Sequence, residues 1–197
     1  MKRLIKFCQC FIKFFRKHDK TQGEQIPIEI SPEEVILRGV VKPLFAGSKG
    51  LKEYVFLPPP KRARKDVSVL RLNYSNVNFC KSHFKSLNMG ANLYSGIAAI
   101  LPKHISEINN QTNLIFTNGE ELSVSIEATP DYSSGLIMHA DIIYSHSDSD
   151  EGLDDEPKTF LRKIAKELVK RAKYFEDPSP ISSEWNGVEI SGEVFNS

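Results

Sequence analysis

Gly135–Ser145 reads GLIMHADIIYS, the most apolar run of the chain outside its first twenty residues, with a His and an Asp at its centre. On a strand, successive side chains point to opposite faces. Leu136, Met138, Ala140, Ile142 and Tyr144 then share one face, and Ile137, His139, Asp141 and Ile143 the other. A strand apolar on one side and mostly apolar on the other belongs inside a sheet, paired on both edges. His139 and Asp141 would point together into partly covered space, where burial is costly unless each finds a partner.

Outward from this run, strand signals dominate. Glu33–Val41, Glu53–Leu57 and Asp66–Tyr74 are expected strands, the second ended by Pro58-Pro59-Pro60. Asn78–Leu87 is expected as a loop or short helix, and Ala91–Leu101 as a strand stopped by Pro102. Asn118-Gly119 between Leu114–Phe116 and Leu122–Ala128 predicts a tight hairpin. In its second arm Leu122, Val124, Ile126 and Ala128 would face inward, and Ser123, Ser125 and Glu127 outward. His146–Glu156 is acidic and rich in serine, a solvated loop whose charge suits the start of the helix that follows. Lys158–Phe175 carries an apolar stripe through Leu161, Ile164, Ala165 and Leu168, predicting a helix that is ended by Asp177–Pro180. Trp185–Phe195 is expected to add an edge strand. These elements predict an α+β fold: a mostly antiparallel sheet with one long C-terminal amphipathic helix packed on it, and a separate N-terminal basic amphipathic helix.

The expected organisation is a helix over residues 1–20, a linker over 21–26 and a single domain over 27–197, consistent with a chain of 197 residues. In MKRLIKFCQCFIKFFRKHDK, Lys2, Lys6, Lys13 and Arg16 recur at helical spacing against Phe7, Phe11, Phe14 and Phe15. The lysines interrupt the apolar positions too often for a span of about 20 apolar residues. Segregated aromatic and basic faces suit the interface of an anionic membrane. A nucleic-acid arm is the weaker expectation, because binding phosphate does not call for four phenylalanines. Docking of this helix on protein is the competing expectation.

The net charge of +1 conceals this asymmetry and names no partner by itself. Lys61, Arg62, Arg64 and Lys65 form a second basic cluster, directly after the three prolines. It reads as an exposed loop, or as a nuclear import or phosphate-binding patch. With the basic residues of Lys158–Lys173 it supports a nucleic-acid-binding alternative. Three cysteines make no disulfide framework, and no cleavable secretory leader is legible. The expected location is cytoplasmic, peripheral at the inner membrane face, with the nucleus as the alternative.

Chemistry has one candidate constellation. Cys80 and His83, three residues apart, combined with His139 and Asp141 would offer four ligands for zinc. The same residues could make a thiol nucleophile with a His base oriented by a carboxylate. The competing reading is a half-buried cysteine, an exposed His83 and a strand His paired with its own Asp. The acidic loop lacks the spacing and glycine of a calcium loop. There is also no glycine-rich phosphate loop, G-x-S-x-G elbow or H-E-x-x-H. The function expected from the whole is a membrane-peripheral adaptor or accessory protein acting through an unidentified protein partner. An enzyme or metal-binding domain and a nucleic-acid module are the alternatives.

Overall fold

A computed structural model describes residues 26–59, 66–87, 90–111, 123–145 and 155–195. Six strands form one antiparallel sheet in the order β6-β7-β4-β1-β5-β8. They are β1 Ile36–Lys42, β4 Asp66–Arg71, β5 Leu93–Ile100, β6 Ser123–Ala128, β7 His139–Ser145 and β8 Lys173–Glu176. A two-residue pair, β2 Ala46–Gly47 and β3 Gly50–Leu51, stands apart. The expectation of one long C-terminal helix is overturned. The described residues hold three helices, α1 Val77–Ser86, α2 Pro102–Gln111 and α3 Asp155–Arg171, of 10, 10 and 17 residues. The chain continues past α3 into β8. The N-terminal helix of 1–20, the basic cluster 61–65 and the turn at 118–119 lie outside the described residues.

The alternation along each strand sorts the core into two layers. Ile36, Val40, Val67, Val69, Ala140, Ile142 and Tyr144 point to one face, where Ile105 and Ile108 of α2 and Leu161, Ile164 and Leu168 of α3 cover them. Leu37, Leu70, Tyr94, Ile97 and Ala99 point to the other and meet Cys80 and Phe84 of α1 and Ile190 near the C-terminus. Seven of the eight β5 residues are buried, because both layers close over this strand. Asn76 caps α1 by accepting the Phe79 N–H at 2.9 Å. The helix lies close on β1 at Gly39, where a Cβ would stand 2.6 Å from Phe84 Cβ. Only glycine fits there.

Several sequence expectations are corrected by pairing. The run 135–145 is a strand only from His139; Asp131 and Leu136 bridge each other first, and Gly135 takes a φ of 75° in that turn. β7 pairs with β4 on one side and β6 on the other, one place in from the end of the order. Residues 53–55 form a 3₁₀ turn rather than a strand, and 72–74 do the same after β4 ends. The helix expected to reach Phe175 stops at Arg171, because Lys173–Glu176 pairs with β5 from Gly96 to Ala99. No edge strand forms between 185 and 195; Ile190 is buried, Val188 is exposed, and residues 192–195 make a 3₁₀ turn. Pro102 does stop β5, but as the first residue of α2, a position proline favours because its missing N–H is not needed there.

Two ion pairs cross the molecule inside its core. Arg71 meets Glu34 at 2.7 Å and Lys81 meets Asp177 at 2.7 Å, with side-chain exposures of 1% or less. The first binds the segment before β1 to the end of β4. The second binds α1 to the segment after β8.

Candidate functional site

The residues chosen from the sequence divide into two groups. His139 and Asp141 do sit side by side on β7, on the same face as Leu70 and Ser68 of β4, with which they pair. Thr129, just past the end of β6, completes a small network with them. Its hydroxyl donates to Asp141 Oδ2 at 2.7 Å, while its carbonyl and hydroxyl oxygens lie 3.0 and 2.9 Å from His139 Nδ1. A carbonyl only accepts, so Nδ1 carries the hydrogen. In the neutral ring Nε2 therefore keeps a lone pair, turned toward Asp141 Oδ1 at 3.8 Å.

Cys80 belongs elsewhere. It is fully buried among Leu37, Phe84 and Ile97, and its Sγ–H donates to Ser75 Oγ at 3.5 Å. Burial pushes its thiol up to about 11, far from the thiolate that attacks carbon or binds metal. His83 lies one turn along α1, ring edge against Phe84. Burial first, then the positive fields of His139 and Arg38, lower its pKa below that of a free imidazole. The four residues do not converge as one ligand set. Among the described residues no three His, Cys, Asp or Glu side chains are placed to hold a metal ion.

Two participants were missed in the sequence. Arg38 sits where β1 and β4 part after only two residue pairs, and its guanidinium donates to Ser68 O at 2.6 Å and Val55 O at 3.3 Å. A lone arginine in ILRGVVK was a visible signal. Thr129 carried none, since only the β6–β7 register brings it beside residues ten and twelve positions later.

Asp141 is 6% exposed and accepts a hydrogen bond from the Thr129 hydroxyl. Asp141→Ala is therefore expected to cost about 1–3 kcal/mol, because the part-buried Thr129 hydroxyl loses its acceptor. Asp141→Asn should recover most of that. Urea unfolding of the three proteins measures both, and a loss below about 0.3 kcal/mol would contradict a buried, bonded pair.

The basic residues of α3 that the structure describes include Arg162 and Lys166, both exposed. Lys170 and Arg171 are held by Glu167 at 2.5 and 2.8 Å. No helix among the described residues is long and apolar enough to cross a membrane. The chain matches no family model, no curated protein and no solved structure in the three comparisons made with known proteins.

Proposed function

We propose that this chain is a membrane-peripheral accessory protein, held at an anionic surface by residues 1–20 and offering its α+β domain to a protein partner. The observation that carries the reading is the segregation of Lys2, Lys6, Lys13 and Arg16 from Phe7, Phe11, Phe14 and Phe15. Phenylalanines buried at the headgroup boundary supply apolar area, and the lysines add attraction to anionic lipid. On this reading the protein lies at the cytoplasmic membrane face. The attachment of the domain supports it too: Arg71 grips the carbonyls of Pro27 and Glu29, so a tether ending at residue 25 would pull on the sheet itself.

The chemistry of Cys80 weighs against the catalytic alternative. A buried thiol with its pKa raised and a serine as its partner has neither the base nor the access that nucleophilic catalysis needs.

Flotation of the full chain on phosphatidylcholine vesicles, with and without phosphatidylserine, tests the reading. The wild type is expected to float with anionic vesicles and to be released by salt. Phe11→Asp with Phe14→Asp should abolish flotation. A wild type that stays in solution, or a double variant that floats as well as the wild type, would overturn the tether. Salt-dependent binding to nucleic acid in place of lipid would favour the basic segments 61–65 and 158–173 instead.

A further inference from the structure

The end of the sheet where residues 1–25 join the domain holds two large side chains outward on fixed backbone. Ile28 is 81% exposed although the carbonyls on either side of it are both held by Arg71. That guanidinium is itself 1% exposed, ion-paired to Glu34 and stacked 4.5 Å over the ring of Tyr74. The clamp leaves Ile28 no inward path. Arg71 also donates its backbone N–H to Met138 O at 3.0 Å, which sets the turn before β7 at the same end. In that turn Tyr132 is 78% exposed. Asp131 fixes its backbone by accepting the N–H groups of Ser133 and Ser134 at 3.0 and 3.1 Å and both hydroxyls at 2.6 Å.

We propose that Ile28 and Tyr132 are the domain's own contacts with the lipid surface, entering the headgroup boundary beside the tether and fixing this end of the sheet toward the membrane. The inference rests on the tether reading of residues 1–20. The occupant follows from where the tether joins: residue 26 begins the clamped segment, so a surface that holds residues 1–20 is brought to this end first. A linker of six residues, 21–26, extends at most about 22 Å, less than the length of the eight-residue β5, about 27 Å. An aliphatic and a tyrosine side chain are the kinds that enter the boundary, the tyrosine keeping its hydroxyl wet.

The charges beside them divide the work. Glu29 and Asp131 flank the two side chains, and the serine donors hold Asp131 as a carboxylate. Anionic headgroups repel both acids, so the domain contact works by apolar insertion while the tether's lysines supply the electrostatic attraction.

Vesicle partitioning of the full chain tests this. Ile28→Ser with Tyr132→Ser should weaken binding at least about tenfold, the loss of the transfer energy of one inserted apolar side chain or more with no charge added. The salt sensitivity, set by the tether, should stay unchanged, and so should the unfolding midpoint, since both side chains are exposed. Ile28→Trp should bind more tightly than wild type. If both variants bind like the wild type while the wild type floats, the orientation is overturned and the tether stands. If the wild type itself fails to float, the tether reading falls and takes this inference with it.

Discussion

Lys81→Ala is expected to lower the unfolding free energy by about 3–5 kcal/mol, a large share of the stability of an ordinary domain. The ammonium is fully buried, ion-paired with Asp177 Oδ2 at 2.7 Å and donating to Ser179 O at 2.9 Å and Glu184 O at 2.6 Å. Removing it strands a carboxylate that is 3% exposed and two carbonyls turned inward. The neighbouring Tyr94 hydroxyl would not replace the lost charge. Burial and the Asp177 carboxylate keep that phenol neutral far above its ordinary range. The damage should spread along the segment after β8, since Lys85 donates to Ile181 O and Ser182 O and Asn78 accepts the Trp185 N–H from the same helix. Lys81→Met combined with Asp177→Leu separates the cost of the stranded charge from the worth of the pair. The double variant should be clearly more stable than the sum of the two single losses. Denaturant midpoints at unchanged slope provide the measurement. A single-variant loss below about 1 kcal/mol would mean that water reaches the pair.

How much of this was legible follows from the range over which each signal acts. Period-two alternation is local, so the apolar faces of β1, β4, β6 and β7 could be read directly from their residues. The stripe of Leu161, Ile164, Ala165 and Leu168 likewise announced α3. Its end was not readable, because no glycine or proline separates it from Lys173–Glu176, and only pairing with β5 makes those four residues a strand. Pro102 carries opposite local meanings, a stop for a strand and a start for a helix. Ile105 and Ile108, three apart beyond it, were the sign that both apply. The site divides in the same way. His139 and Asp141 share a face by alternation alone, whereas Thr129 reaches them through strand register and Cys80 is withdrawn by the packing of α1. Lys81 and Arg71 read as ordinary surface charges in the sequence. Their partners lie 96 residues downstream for Lys81 and 37 upstream for Arg71, so nothing local marks them as core.

Arg71→Ala is expected to match the Lys81 loss, at about 3–5 kcal/mol, but to act at the opposite end of the sheet. Arg71 makes a two-pronged pair with Glu34, Nε to Oε1 at 2.7 Å and NH2 to Oε2 at 3.0 Å, with both side chains 1% exposed. The same planar group reaches Pro27 O at 2.5 Å and Glu29 O at 3.3 Å. An ammonium cannot span these acceptors, so Arg71→Lys should keep the charge and still lose a good part of the stability. Arg71→Met with Glu34→Leu should recover global stability, yet it leaves the two carbonyls without their donor. Hydrogen exchange then distinguishes the two roles. In the double variant the core strands stay protected, while amides of residues 27–34 exchange faster than in the wild type. The Glu34 N–H to Ser31 O bond at 3.1 Å is the most direct reporter. A single variant that loses less than about 1 kcal/mol, or a double variant whose 27–34 amides exchange as in the wild type, would show that the segment is held by its apolar contacts alone. If the clamp does hold it, the two core ion pairs do different work: Lys81 fixes how the chain leaves the sheet, and Arg71 fixes how it enters.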